Sequence, residues 1–124
     1  MSRILVVDDD PDFVEIVRLV LQREGYEVVT APDGDTALRI MQESPPDLIL
    51  LDVMMKGVLD GVETARAIGD DEIMHQTPLI MVSSITSSPM AEFFPTDEYL
   101  PIDTWISKPI QPEDLLKTVE RYLK

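Results

Sequence analysis

The sequence predicts an α/β domain in which a doubly wound, five-stranded parallel sheet carries helices on both faces. Three observations support this. The runs Ile4-Leu5-Val6-Val7 and Leu48-Ile49-Leu50-Leu51 are apolar without alternation, as strands are when both faces are covered. Segments with apolar residues at helical spacing lie between such runs, and strands alternating with helices imply parallel pairing. The length, 124 residues, suffices for one hydrophobic core and not for two.

The elements follow in order. Arg3–Val7 reads as a buried strand. Residues 11–24 read as a helix with Phe13, Ile16, Val17, Val20 and Leu21 on one inward face. Asp10 suits its N-cap, Pro11 its first turn and Gly25 its stop. Glu27–Ala31 is the second strand. Residues 35–43 form the second helix, with Ala37, Leu38 and Met41 inward, and Ser44-Pro45-Pro46 ends it. Residues 48–51 form the third strand, 61–69 a helix capped by Asp60, and 79–82 the fourth strand. Thr104–Ser107 is the fifth strand, and Pro112–Leu123 a last helix with Leu115, Leu116, Val119 and Leu123 on its apolar face. The helix due between the fourth and fifth strands is short or irregular, because Pro89, Pro95 and Pro101 interrupt its segment.

Composition narrows the function classes. A net charge of −14 argues against binding nucleic acid through its phosphates and against anionic membrane surfaces. The chain has no cysteine, which removes disulfides, thiol catalysis and thiolate metal sites. Four apolar residues before the first aspartate do not make a signal peptide, and no apolar run nears the ~18 residues that span a bilayer. A cytoplasmic protein is expected.

The chemistry gathers at strand ends. Asp8-Asp9-Asp10 follows the first strand, Asp52 the third, Ser83 the fourth, and Lys108-Pro109 the fifth. In a parallel sheet all of these fall on the carboxyl edge, where α/β proteins place their sites. Carboxylates converging there repel one another unless a cation sits between them. Taken singly, each has a bland explanation: a helix cap, a turn acid, a solvated lysine. Their coincidence in this order does not.

Together with Ala31-Pro32-Asp33-Gly34, Pro46-Asp47-Leu48-Ile49-Leu50-Leu51-Asp52-Val53-Met54-Met55 and Pro78-Leu79-Ile80-Met81-Val82-Ser83, these residues resemble the receiver domain of bacterial two-component response regulators. The resemblance spans essentially the whole chain. It implies a flavodoxin-like fold with strand order 2-1-3-4-5, and a single receiver domain over 1–124 with no output domain. It further implies a signalling phosphoacceptor rather than a turnover enzyme, one that catalyses its own phosphorylation and dephosphorylation.

Asp52 matches the residue that takes a phosphoryl group from a phosphohistidine, supplied by a sensor histidine kinase or histidine phosphotransfer protein. Asp9 and Asp52 match the direct carboxylate ligands of Mg²⁺ (Mn²⁺ being an alternative), with Asp8 acting through bound water and the Met54 backbone carbonyl completing the protein ligands. Lys108 matches the cation for a phosphoryl oxygen, with a cis bond between Lys108 and Pro109 to aim it. Ser83 and Trp105 match the switch pair that passes the phosphorylated state to an unidentified protein target. The sequence leaves open a monomer or a phosphorylation-dependent homodimer, and on the charge argument neither nucleic acid nor membrane is expected among the partners.

Some positions depart from the family. Lys56 stands where proline is common, Asp60-Gly61 arrives one residue late, and the stretch from Ser83 to Lys108 is longer than usual. Met54 and Ile85, flanking the site, are apolar and cannot hold a hydrolytic water, so a long-lived phospho-Asp52 is expected. Phe93, Phe94 and Tyr99 are candidate partner contacts, with packing on the sheet the commoner use of such residues. His75 has no companion ligand in the sequence. A calcium loop is excluded by Phe13 and Leu19, which stand where glycine and glutamate are needed; two rivals remain, an aspartate-nucleophile phosphatase acting through Asp8 and an unphosphorylated interaction module of the same fold.

Overall fold

The alternation of strand and helix is realised as β1 (Arg3–Val7), α1 (Pro11–Arg23), β2 (Glu27–Ala31), α2 (Gly34–Glu43), β3 (Leu48–Asp52), α3 (Asp60–Asp70), β4 (Leu79–Ser83), β5 (Thr104–Ser107) and α4 (Pro112–Leu123). The structure is a computed structural model that describes residues 2–52, 60–71, 76–83, 104–107 and 110–123. At 60–62, 83, 105 and 107 it describes the backbone alone. The segment of Pro89, Pro95 and Pro101, and with it the short or irregular helix expected there, lies outside the described residues. So do Lys56, His75, Ile85, Phe93, Phe94 and Tyr99.

The five strands pair in parallel in the order β2-β1-β3-β4-β5. The chain leaves β1 towards β2, then returns across it to β3. The carboxyl ends of β1 and β3 therefore flank the point where the winding reverses, and such a point leaves a crevice.

Period-two alternation divides the core between the two faces. Leu5, Val7, Ile49, Leu51, Leu79 and Met81 pack with Ala37 and Met41 of α2 and with Ala65 and Ile68 of α3. Ile4, Val6, Leu48, Leu50, Ile80 and Val82 pack with Val17 and Leu21 of α1 and with Leu115 and Val119 of α4. Both sets are buried, which is why these strands carry no polar residue until their ends.

The helix ends follow local chemistry. Asp10 caps α1, its Oδ1 accepting from the Asp12 and Phe13 N–H groups, with Pro11 in the first turn. After Glu24, Gly25 takes φ +93°, and the Gly25 and Tyr26 N–H groups donate to the Gln22 and Leu21 carbonyls. Asp33 caps α2 through the Thr36 N–H at 2.8 Å, so that helix begins at Gly34, one residue earlier than the sequence suggested. Asp60, expected as a cap, is already the first residue of α3.

One core expectation fails. Ile16 is 59% exposed. The buried pair Val17 and Leu21 sets the inward direction of α1, and a residue one position from Val17 is turned about 100° from it. Phe13, Val14 and Val20 flank the buried pair instead.

At the amino end of the sheet Arg3 draws four segments together. Its Nε donates to Glu27 of β2 at 2.8 Å, its guanidinium also reaches the Ser44 hydroxyl at the end of α2, and its N–H donates to Asp47 Oδ2 at 2.7 Å. The Asp47 N–H returns a bond to the Arg3 carbonyl.

Candidate functional site

Register brings the acids together. Val7 of β1 pairs with Leu51 of β3, so Asp8 and Asp52, each one residue further on, stand side by side on neighbouring strands. Adjacent strands are about 4.8 Å apart. Counting in twos from Ile4 and Leu48, both aspartates fall on the α1/α4 side of the sheet. Both are buried, at 3% and 4% exposure, which is uncommon for carboxylates.

The β1–α1 turn holds the first of them. The Asp8 N–H extends the β1–β2 ladder by donating to the Ala31 carbonyl at 3.0 Å. Asp8 Oδ1 accepts from the Asp10 N–H at 2.9 Å, a turn that aspartate side chains favour. Asp10 is committed to capping α1. Asp9, between them, is exposed. The three consecutive acids thus divide their work: Asp8 fixes the turn and faces the pocket, Asp10 caps the helix, and Asp9 projects from the edge.

Asp8, Asp9 and Asp52 can each present one carboxylate oxygen within 4.8 Å of the others. This is a hard-oxygen donor set that suits Mg²⁺ or Mn²⁺ and not a soft metal. A groove of about 180 Å³, walled by Pro11, Val14, Thr30 and Pro32, opens beside Asp8 and Asp9. The donor set therefore fits the expected ion.

Around this cluster, strand register places the remaining expectations in part. Asp52 pairs with Val82, so Ser83 follows one residue later at the same edge, and Ser83 pairs with Ser107 of β5. Trp105 pairs with Met81, within the sheet. The side chains of Ser83 and Trp105 lie outside the described residues, as do Met54, Lys108 and Pro109.

A feature the sequence did not announce supports the same edge. A Cβ placed on Gly34 would lie 2.0 Å from Thr64 Oγ1, and Thr64 is buried. Glycine at 34 thus lets the first turn of α2 close on α3. The Asp33-Gly34 pair was visible in the sequence, but no local signal connected it to a threonine thirty residues away.

Comparison with known proteins decides the family. Residues 4–120 match the response regulator receiver domain. This chain belongs to the response regulator receiver domain family. The receiver domain is 33% identical over 99% of its length to the DNA-binding response regulator MtrA of Mycolicibacterium smegmatis, and covers 51% of that protein. It is 34% identical to the alkaline phosphatase synthesis transcriptional regulatory protein PhoP of Bacillus subtilis, over 99% of this chain and 49% of that one. The chain thus spans about half the length of these curated relatives. Among solved structures, chemotaxis protein CheY4 of Vibrio cholerae superposes on the receiver domain with a TM-score of 0.87 at 36% identity, covering 99% of each chain. Among the described residues of the receiver domain, no helix is long and apolar enough to cross a membrane.

Proposed function

We propose that this receiver domain is the phosphoacceptor of a His-Asp relay, and that Asp52 accepts a phosphoryl group from the phosphohistidine of a sensor histidine kinase or histidine phosphotransfer protein. The observation that supports this most is the convergence of Asp8, Asp9 and Asp52 at the β1/β3 switch point, with Asp52 buried and Asp9 open to solvent.

In this reading Asp9 and Asp52 would hold Mg²⁺ directly, with Asp8 acting through water and the Met54 carbonyl as the remaining protein ligand. When bound, the ion neutralises charge on the transferring phosphoryl oxygens. An oxygen of the Asp52 carboxylate attacks phosphorus in line. An O–P bond forms as the P–N bond of the donor breaks, and the imidazole leaves with the electron pair and takes a proton from water. The product is an acyl phosphate on Asp52. Lys108 pairs as a compact cation with one phosphoryl oxygen, and Ser83 donates a hydrogen bond to another. The Ser83 movement and Trp105 then carry the phosphorylated state to a downstream protein.

Incubation with acetyl phosphate and Mg²⁺ tests the proposal without a kinase. The expected result is a mass gain of one phosphoryl group that chelation of the metal suppresses and Asp52→Ala abolishes. A wild-type chain that gains nothing overturns the reading, and a phosphoryl group mapped to Asp8 transfers it to the aspartate-nucleophile phosphatase.

A further inference from the structure

We propose that α1 carries a self-complementary seam through which two copies of this chain pair, antiparallel and without need of phosphorylation. The large apolar side chains exposed among the described residues are Ile16, at 59%, and Leu19, at 50%. Both lie on α1, three residues apart and hence on one face. Asp12 and Arg23, each exposed, extend the row at its two ends.

Positions 12, 16, 19 and 23 are spaced four, three and four. At 3.6 residues per turn they fall within about 60° of helix surface, turned away from the buried Val17 and Leu21. This is the spacing of a coiled-coil seam. It reads the same in either direction about a centre between Val17 and Arg18. An antiparallel copy therefore sets Ile16 against Leu19 of its mate and Asp12 against Arg23, twice over. Such an isologous contact closes on itself as a dimer.

Charge selects this arrangement. A parallel pairing would set Asp12 on Asp12 and Arg23 on Arg23. Among the described residues neither Asp12 nor Arg23 is engaged in an ion pair within the chain. The flanking Arg18, by contrast, is held by Glu15 and Gln22. A partner row of four residues with an acid at one end, a base at the other and two aliphatics between them is what a second copy supplies.

The contact is small. A helix of 13 residues is about 20 Å long, and one such pair covers less than the ~1,200–2,000 Å² of a stable interface. Each copy also carries a net charge of −14, which opposes association until salt screens it. The pairing is accordingly weak, with Kd of about 0.1–1 mM, and it strengthens with ionic strength.

Sedimentation equilibrium of the chain up to about 1 mM at low and raised salt reads this directly. The wild type is expected to self-associate, and Asp52→Ala to associate equally. Ile16→Glu is expected to weaken association by about tenfold or more, with unchanged far-UV circular dichroism because the site is exposed. Arg23→Asp weakens it by a few-fold, and the charge-exchanged Asp12→Arg/Arg23→Asp chain restores it. Because the chain has no cysteine, orientation can be read by cross-linking. Asp12→Cys mixed with Arg23→Cys gives a mixed disulfide, whereas two copies of position 12 are about 16 Å apart along the axis and cross-link slowly. A wild type that stays monomeric throughout, an Ile16→Glu chain that pairs as well as wild type, or Asp12→Cys cross-linking faster alone than in the mixture overturns the proposal.

Discussion

The two edges of the sheet are built from similar residues arranged to opposite ends. At the amino edge the Arg3 guanidinium pairs with Glu27 and reaches the Ser44 hydroxyl, and the Arg3 backbone N–H donates to Asp47, so that four segments join. At the carboxyl edge Asp8 and Asp52 are buried beside each other with Asp9 within reach. Two like charges at about 4–5 Å repel by roughly 1 kcal/mol in water and several-fold more as the surroundings become less polar. The first edge serves stability. The second gathers the carboxylates that, under the proposed function, would hold a cation.

Removing a charged side chain should have opposite signs at the two edges, while overpacking is costly at either. The largest loss is expected from Gly34→Ala on the carboxyl side, where the added methyl meets Thr64. Chemical denaturation should show a loss of about 1–3 kcal/mol, typical of overpacking, while Gly34→Ala combined with Thr64→Ser, which keeps the obstructing oxygen, should recover little. Next, Asp52→Asn without divalent metal should raise stability by about 1 kcal/mol, more at low salt than at high salt. A variant less stable than wild type under those conditions would remove the contrast between the edges.

Arg3→Ala, at the amino edge, should lower stability by up to about 1 kcal/mol, since exposed pairs contribute little. The smallest effect concerns Tyr26, at the amino end of β2. Burial, with help from Glu120 and Glu24, holds its phenol above the usual value of 10.0. A phenol whose folded pKa is raised keeps its proton to higher pH in the folded chain, so stability falls as pH rises beyond 10. Absorbance titration should place Tyr26 above 10, and Glu120→Gln should lower it.

Much of this was legible in the sequence because it rests on local signals. The unalternating runs at Ile4–Val7 and residues 48–51 mark doubly covered strands, and the Asp10-Pro11 and Gly25 signals bracket α1 almost to the residue. The acidic cluster was legible because strand ends in a parallel sheet share an edge. What local signals miss is direction and long-range fit. Ile16 has the composition of a core residue, yet its angular position on α1 is set by Val17 and Leu21 and turns it outward. The demand for glycine at 34 comes from Thr64 on another helix. The division of work among Asp8, Asp9 and Asp10 emerges only when the turn that connects them is seen.

The claim that the carboxyl edge is built around a cation is tested most directly by thermal melting with and without Mg²⁺. At about ten times its Kd a bound ion adds about 1.4 kcal/mol, which for a domain of this size raises Tm by several degrees. The wild type should show that rise, and Asp52→Asn, more stable than wild type without metal, should show almost none. A wild-type Tm that saturating Mg²⁺ leaves unmoved would contradict the account.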